Sequence, residues 1–435
     1  MDRELVIRGV GLYAPIVIAL SLWVWRWPAV GERGLVKRYG AALLLAAAWN
    51  AVSLLILNTA AVSLGWWSFH AEGGLISGVP VDLYLGWIVL WSVVPVLAFG
   101  AMPVTAGAVA MAGLDLFLMP LCEPVIALGP NWYAGEAVAI VLAYVPSQYF
   151  AHWTINSRRL ECRAVLQVIA FSGLILFVIP TVILEQTGGG WTAVRERSWI
   201  LNSILIQLLA VPAILGFSAV QEFVRRGGGT PLPYDPPSRL VTTGPYAFVA
   251  NPMQLSAALV FVIWSVVLDS VWIVVAAAMT LSYSLGLAAW HERDHLIDRF
   301  GDAWIAYRRE VRAWRVRAKP FVAQPAVLYV ADGCPLCRGV GKWIADRHPV
   351  GLRIVAAEDH PARTLSRMTY EPWDGPADEG IAAFARALEH THLGWALVGM
   401  FIGLPIIRPF LQILVDASGG YARTAPRRAT APRVP

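Results

Sequence analysis

Residues 199–219 read WILNSILIQLLAVPAILGFSA, an apolar run without a single charged side chain. A helix needs about 20 predominantly apolar residues to cross the hydrocarbon core of a bilayer, so this run predicts a transmembrane helix. Comparable runs precede and follow it, and the sequence predicts a polytopic α-helical membrane protein with about nine transmembrane helices. These spans lie at 9–25, 40–64, 81–99, 101–120, 135–155, 164–184, 199–219, 254–268 and 271–290.

The overall composition supports this fold class. Hydrophobic residues make up 57% of the 435-residue chain and charged residues 14%, whereas soluble domains carry about 25% charged residues. The net charge of +5 is modest, and no long basic run is present. We therefore expect the lipid bilayer as a partner and no nucleic acid.

The distribution of basic residues predicts an orientation. Lys and Arg follow the first, fifth and seventh spans, whereas loops 66–80 and 121–134 contain neither. Loop 185–198 is an exception, with Arg195 and Arg197. By the positive-inside rule the N-terminus lies outside and everything after residue 290 lies in the cytosol, which indicates the cytoplasmic (inner) membrane.

The last third of the chain has a different pattern. After a linker around Pro320, the apolar run 327–330 before Asp332-Gly333 predicts a buried strand, followed by a helix at 338–347 and a strand at 352–356. Residues 393–407 are apolar enough for a tenth span, but we expect a buried or membrane-resting helical segment. The Pro- and Arg-containing tail, 418–435, is expected to be disordered.

Between the seventh and eighth spans lies a candidate cofactor loop. Gly244-Pro245 predicts a tight turn, and Asn251-Pro252 predicts the start of a helix. Exposed N–H groups at such a start can hold a carboxylate. The alternative is a capped loop that leads into a helix.

The last two spans are short and are joined by little more than Asp269, which predicts a tight helical hairpin. A second candidate segment follows this hairpin. Glu292, His295 and Leu296 share one helix face. The alternative is a solvated amphipathic helix that lies on the membrane. His291 and His295 have the spacing of two metal ligands, but no third ligand is evident, so no metal site is predicted.

Together these segments resemble the isoprenylcysteine carboxyl methyltransferase and phospholipid methyltransferase family over about 160–317. The resemblance implies S-adenosylmethionine as cofactor and a lipophilic methyl acceptor that enters from the bilayer. Three positions depart from the family pattern, namely Ala250, Gln254 and Trp304. The residues that carry the match are Gly244-Pro245-Tyr246, Asn251-Pro252-Met253, Glu292, Phe300-Gly301, Tyr307 and Val311. The implied cofactor-binding residues are Gly244, Tyr246, Asn251, Pro252, Glu292 and Tyr307.

A C-x-x-C motif, Cys334-Pro335-Leu336-Cys337, follows the predicted strand and precedes a helix. A helix N-terminus favours the thiolate, which indicates a redox dithiol; inert thiols or a metal site are the alternatives. Residues 326–415 resemble the DCC family of thiol–disulfide oxidoreductases. This resemblance implies a cytosolic α/β thioredoxin-like domain and a cytosolic thiol-redox partner, with Cys334 attacking and Cys337 resolving the mixed disulfide.

The N-terminal half carries ionisable residues in apolar runs. Asp115 is the deepest of them, and ionisable groups at membrane depth are functional candidates. Within about 80–155, a set of motif residues resembles membrane carotenoid-biosynthesis proteins of the hydratase and lycopene-cyclase type: Gly113-Leu114-Asp115-Leu116, Glu123-Pro124, Trp132, Pro146 and Trp153. This resemblance implies Asp115 and Glu123 as proton donors.

We predict four regions: an N-terminal transmembrane helical domain at 1–157, a membrane methyltransferase-like domain at 158–319, a thioredoxin-like domain at 320–417 and the tail. The predicted function is methyl transfer from S-adenosylmethionine to a lipophilic acceptor, with an appended dithiol domain. The alternatives are a membrane-tethered thiol–disulfide oxidoreductase and an isoprenoid- or carotenoid-handling membrane protein.

Overall fold

The structure is a computed structural model that describes residues 3–30, 33–100, 102–231, 235–283, 289–422 and 424–425. Within these ranges the side chains of 27–30, 33, 283 and 289–295 are not described. The chain divides into two compact units. Unit 1 comprises Met1–Ser198, Thr230–Asp235 and Trp264–Val274, and unit 2 comprises Trp199–Gly229, Pro236–Ile263 and Val275–Pro435.

Unit 1 is built mainly from helices. Helix α2 lies at its centre and packs against the seventh and eighth helices of the chain. Its buried core includes Leu55, Trp91 and Tyr144. The helices are α1 (Arg3–Val30), α2 (Arg33–Ser63), α3 (Val81–Ile88), α4 (Val94–Phe99), α5 (Val104–Leu118), α6 (Trp132–Ala139), α7 (Val145–Ile155), α8 (Leu160–Gly173), α9 (Ile179–Gln186) and α10 (Thr192–Glu196).

Three of these helices follow directly on a widened π-helical turn. The turns span Val89–Val93, Ile140–Tyr144 and Leu174–Val178, and they precede α4, α7 and α9. Each of these three helices has proline as its second residue. Proline lacks an N–H and its ring clashes with the carbonyl four residues earlier. The wider turn accommodates proline without ending the helix.

Two small antiparallel ribbons connect the helices of unit 1. Strand β1 (Trp67–Phe69) pairs with the fourth strand of the chain, and β2 (Leu75–Ile76) pairs with β3 (Val79–Pro80). The fourth strand, β4, is Ile126–Leu128.

Unit 2 combines long helices with a four-stranded sheet. Its helices are α11 (Trp199–Glu222), α12 (Pro252–Val267), α13 (Val271–Tyr283), α14 (Ala289–Glu310), α15 (Pro335–Ala345), α16 (Ile381–Glu389), α17 (Leu393–Ile402) and α18 (Ile407–Val415), of which α12 and α13 extend in part into unit 1. Its strands are β5 (Ala326–Val330), β6 (Leu352–Ala356), β7 (Thr369–Glu371) and β8 (Asp378–Glu379).

The sheet of unit 2 has the order β6-β5-β7-β8. Strands β5 and β6 are parallel and are connected by α15, whereas β7 and β8 are antiparallel to their neighbours. Leu328 in the central strand and Ala383 in α16 are fully buried in its core. The strand predicted at 352–356 forms with the same bounds.

Six helical stretches of the described chain are long and apolar enough to cross a membrane, or up to seven if α17 and α18 count as one bent span. This supports a polytopic membrane protein; among the described residues, fewer stretches meet this criterion than the nine spans predicted. The stretch predicted at 135–155 is helical but is not among the six. Helices α12 and α13 are shorter than the others, because the chain turns around Asp269 between them.

The ambiguous stretch 393–407 does not form a straight span. Helix α17 ends at Ile402, and the axis bends by 90° before α18 begins. Ala396 and Met400 are buried, as expected for a buried helical segment. The disorder predicted from residue 418 is not found at its start, because Asp416–Gly420 forms a helical turn and Ala425 pairs with Leu365. From residue 426 onward the tail lies outside the described residues.

Candidate functional site

The loop that carries the G-P-Y motif is buried from Gly244 to Ala250. Residues Gly244–Ala247 form a 3₁₀ turn that begins with a backbone φ of +58° at Gly244. A side chain at this position would be strained by that φ and would also meet the Cγ atom of Glu222 at 3.3 Å. The motif glycine thus allows the loop to pass directly over the end of α11.

The two halves of the sequence motif lie together in the structure. The segment that follows α14 runs alongside the G-P-Y loop and binds its backbone. The hydrogen bonds are Ala250 N–H to Arg312 O (3.0 Å), Arg317 N–H to Phe248 O (3.0 Å) and Phe321 N–H to Ala247 O (2.8 Å). Residues more than 60 positions further along the chain therefore hold the loop in place.

Tyr307 adds a side-chain hydrogen bond to these three backbone bonds. Its hydroxyl donates to the backbone carbonyl of Tyr246 at 2.8 Å, and the side chain is only 2% exposed. Burial raises the pKa of Tyr307, which keeps the hydroxyl protonated as a donor. Tyr307 therefore supports the loop, while the ring of Tyr246 packs 6.1 Å from the ring of Phe223.

Asn251 and Pro252 lie where the loop enters α12. Pro252 is the first helical residue, and its missing N–H costs nothing there. The Asn251 side-chain N–H donates to the Gln254 side-chain oxygen at 3.0 Å. Gln254, one of the departures from the family pattern, thus engages the side chain that the resemblance assigns to the cofactor.

Glu292 is predicted to bind the cofactor, but its side chain lies outside the described residues. The same holds for the two neighbouring histidines, His291 and His295. The backbone at these positions belongs to α14.

A buried acidic side chain, Glu222, lies beneath the G-P-Y loop at the end of α11. Its carboxylate is 3% exposed and accepts hydrogen bonds from the Thr243 hydroxyl and from Arg386. The distance between the Arg386 Nη2 and Glu222 Oε2 atoms is 2.5 Å. Glu222 therefore links the motif loop to helix α16.

Arg386 is the centre of a wider ion-pair network. It also contacts Glu389 at 2.9 Å and Asp378 at 3.4 Å, and Arg226 contacts Asp378 at 3.6 Å. Burial alone would lower the pKa of Arg386, but the surrounding carboxylates raise it well above its ordinary value. The guanidinium thus stays charged and compensates buried carboxylates on two helices and a strand.

A cavity of about 220 Å³ opens beside this network. The motif loop contributes Thr243 and Gly244 to its wall. Charged groups of both signs and several aromatic rings line the remainder, among them Glu222, Arg239, Phe321, Tyr370, Trp373 and Arg386.

His390 also lines this cavity and is neutral. The Nδ1 atom of His390 donates to the Val350 carbonyl at 2.7 Å, so its Nε2 atom accepts from the Tyr370 hydroxyl at 2.9 Å. Burial lowers the pKa of His390, which favours this neutral form. Burial also raises the pKa of Glu389 to about 7, against the influence of Arg386.

The C-x-x-C motif lies at the start of α15, at a distance in sequence from the loop site. Cys334 is the N-cap residue, and its Sγ atom accepts the backbone N–H of Cys337 at 3.3 Å. Both cysteine side chains are half-buried. The preceding turn is bound by Glu358, whose carboxylate accepts the N–H groups of Asp332 and Gly333, both at 3.2 Å.

The candidate acids of unit 1 differ in their surroundings. Asp115 is 6% exposed, and one of its oxygens has no hydrogen-bond partner among the described residues. Glu136, also buried, has one such oxygen too. Glu123 is exposed, so the two implied proton donors do not share an environment.

The structure thus brings together Gly244, Tyr246 and Tyr307, with Asn251 and Pro252 at the end of the same loop. Sequence reasoning missed Glu222 and Arg386. Glu222 could have been found, because an acidic residue that follows a long apolar run is costly near a bilayer and needs a partner. No comparable signal marks Arg386, which lies in an ordinary amphipathic helix.

A comparison with known families supports one part of this assignment. A family model described as phospholipid methyltransferase matches residues 204–303. No curated protein and no solved structure matches the chain. The matched range contains most of α11, the G-P-Y loop and the first half of α14. Together with the apolar helices it supports an integral membrane methyltransferase.

Proposed function

We propose that the chain transfers a methyl group from S-adenosylmethionine to a lipophilic acceptor at the cytosolic face of the inner membrane. The observation that carries this proposal is the assembly of the G-P-Y loop with Tyr307 and the segment after α14. The two motif halves are separated in sequence and form one buried structure. Such an assembly is expected if both serve one site.

The residues present suit this cofactor. S-adenosylmethionine carries a sulfonium, an amino acid group with both charges, and an adenine ring. The cavity beside Gly244 offers a carboxylate, guanidinium groups and aromatic rings such as Trp373. When bound, the cofactor supplies an activated methyl group, so the protein needs mainly to bind and align donor and acceptor.

Each predicted residue has a role in this proposal. Gly244 lets the loop border the cavity, and Tyr246 and Tyr307 fix the loop backbone. In this proposal the cofactor extends from the cavity to the other end of the loop, beyond the residues that line the cavity. There Asn251 and the helix start at Pro252 receive its carboxylate, and Glu292 receives its amino group. The loop lies between two apolar helices, α11 and α12, which favours a lipophilic acceptor that enters from the bilayer.

Calorimetry on the full chain in detergent tests this proposal. We expect the wild type to bind S-adenosylmethionine and Glu292→Ala to bind it at least about ten-fold more weakly, because a charge-assisted hydrogen bond is lost. Asp298→Ala, six residues further along the same helix, before its break at Gly301, and exposed, is the matched control and should bind normally. Absence of binding to the wild type would overturn the proposal.

A second activity, thiol–disulfide exchange, is proposed for the C-x-x-C region. Two observations favour it: Cys334 caps α15, and the β5–α15–β6 unit followed by β7, β8 and α16 is the arrangement expected of a thioredoxin-like domain. The Cys334 thiolate attacks a substrate disulfide and releases one thiolate. Cys337 then displaces the second sulfur, so the substrate gains two electrons and the dithiol becomes a disulfide. A cytosolic dithiol partner restores the reduced form.

Alkylation rates test this second activity. We expect Cys334 to react with iodoacetamide at neutral pH faster than Cys162, which is exposed but not at the cap of a C-x-x-C helix. Cys122, half-buried, serves as a second control. Equal rates at Cys334 and Cys162 would contradict a redox-active dithiol.

A further inference from the structure

Helix α18 exposes its apolar face and turns its polar face toward the protein, which is the reverse of an ordinary surface helix. Its exposed side chains are spaced three to four residues apart and all are apolar. Ile406, just before the helix, is 86% exposed, Phe410 is 60%, Ile413 is 66% and Leu414 is 46%. Pro409 and Ala417 lie on the same exposed stripe.

The polar side chains of α18 point the other way and hold the helix to unit 2. The Gln412 side-chain oxygen accepts the backbone N–H of Ile381 at 2.8 Å, and its N–H donates to Asp416 at 2.8 Å. Asp416 in turn binds both Nη atoms of Arg367, at 2.5 and 2.9 Å. These bonds fix the rotation of the helix, so the apolar stripe cannot turn inward without breaking them.

The position of α18 follows from the helix before it. Helix α17 packs on α11, a candidate membrane span that runs to Gly227. The Ser218 hydroxyl donates to the Met400 carbonyl at 3.4 Å, and the Gln221 side chain donates to the Gly403 carbonyl at 3.1 Å. The bend between α17 and α18 therefore lies beside the last turns of a membrane helix.

We infer that α18 lies in the plane of the membrane surface and inserts Ile406, Phe410, Ile413 and Leu414 into the bilayer that α11 spans. The occupant of the apolar stripe is lipid, because the stripe begins beside the last turns of α11. The outward side chains of α11, such as Leu208 and Phe217, are also apolar and exposed. Amphipathic helices with such a stripe bind at the boundary between headgroups and acyl chains.

An in-plane α18 would give unit 2 a second anchor. The polar bonds of Gln412 and Asp416 reach the start of α16 and Arg367. The sheet-containing part of unit 2 would then be held at a fixed height above the membrane surface, independently of the linker that precedes β5.

Site-directed spin labelling of the full chain tests this placement. Single cysteines at Ile406, Phe410, Ile413 and Leu414, and at Trp373 as an exposed control (73%), are labelled in a variant whose four native cysteines are serine. The chain is reconstituted in phosphatidylcholine vesicles with phosphatidylglycerol. Collision rates with oxygen, which partitions into lipid, and with a water-soluble nickel chelate then report the environment of each label. All five side chains are exposed, so labelling should leave the thermal unfolding midpoint unchanged.

We expect the ratio of oxygen to nickel collisions at the four α18 positions to be several times the ratio at Trp373. We also expect one common depth, because an in-plane helix keeps its stripe level. A depth that increases steadily from Ile406 to Leu414 would overturn the in-plane placement, since a spanning helix rises about 1.5 Å per residue. Ratios as low as at Trp373 would show a water-exposed stripe. Spin–spin broadening that disappears on dilution with unlabelled chain would show a second copy instead of lipid.

Discussion

The G-P-Y loop and the C-x-x-C turn are both short segments before a helix, but they are held in place differently. The loop depends on remote partners, namely the segment 312–321, Tyr307 and the Glu222–Arg386 pair. The C-x-x-C turn depends mainly on its own helix cap and on Glu358, 25 residues away from Gly333. A site held by remote contacts should lose its shape when a distant residue changes, whereas a locally capped site should not.

The largest expected effect comes from Arg386→Met, which tests the dependence of the loop on a remote residue. The change removes the closest cation from Glu222 and Glu389 and leaves Glu222 with the more distant Arg226, at 3.9 Å. Breaking such a buried pair costs about 3–5 kcal/mol. The thermal unfolding midpoint of the full chain in detergent measures this loss. Arg363→Met is the matched control: Arg363 is 47% exposed and also pairs with two carboxylates, so its loss should cost less than about 1 kcal/mol. Similar shifts for both variants would contradict the network.

The second-largest effect tests the hydrogen bond from the Tyr307 hydroxyl to the loop backbone. Tyr307→Phe removes one hydroxyl and leaves the buried carbonyl of Tyr246 without this donor, at a cost of about 1–3 kcal/mol. The same unfolding measurement applies, with Tyr421→Phe as control because Tyr421 is 53% exposed. We also expect weaker binding of S-adenosylmethionine by Tyr307→Phe, since the loop loses a support. Unchanged stability would show that the hydroxyl bond does not hold the loop.

A pH dependence tests the ionisation of the network. The pKa of Glu389 is raised from 4.5 to about 7 in the folded chain, so between these values the folded state binds more protons than the unfolded state. The stabilising contribution of this group is therefore complete below pH 4.5 and is lost as pH rises through 7. As pH rises from 5 to 8, the wild type should therefore lose about 1 kcal/mol or more of unfolding free energy relative to Glu389→Gln, whose side chain does not titrate. Glu379→Gln, 43% exposed, should show no such trend; a parallel response of both variants would contradict the assignment.

The smallest expected effect lies in the locally capped turn. Cys334→Ser keeps an oxygen that can accept the Cys337 N–H, so stability should change by less than about 0.5 kcal/mol, while Cys334→Ala should cost about 1 kcal/mol. Thermal unfolding distinguishes the two variants, and both should lose the fast-alkylating thiol. Equal stability of the serine and alanine variants would show that the sulfur does not cap α15.

Local features of the structure were predictable from sequence, and remote ones were not. Strand β6 and the start of a helix near Cys334 follow from a short apolar run and from turn residues, which act over a few positions. The bond between Glu222 and Arg386 joins residues 164 positions apart, and no periodicity in a single sequence specifies such a pair. The turn at Asp269 between the last two predicted spans was also predictable, because few polar residues interrupt the apolar sequence there. The run 271–290 includes residues 284–288, which lie outside the described part of the chain.

The π-helical turns before Pro95, Pro146 and Pro180 change how the helices of unit 1 must be mapped. Each widened turn holds one residue more than an α-turn, which offsets the faces of the helix on its two sides by about 100°. A single helical wheel drawn through 81–99, 132–155 or 160–186 therefore assigns outward-facing and buried positions correctly on one side of the turn only. Accessibility scans along these helices should show a break in periodicity at 89–93, 140–144 and 174–178.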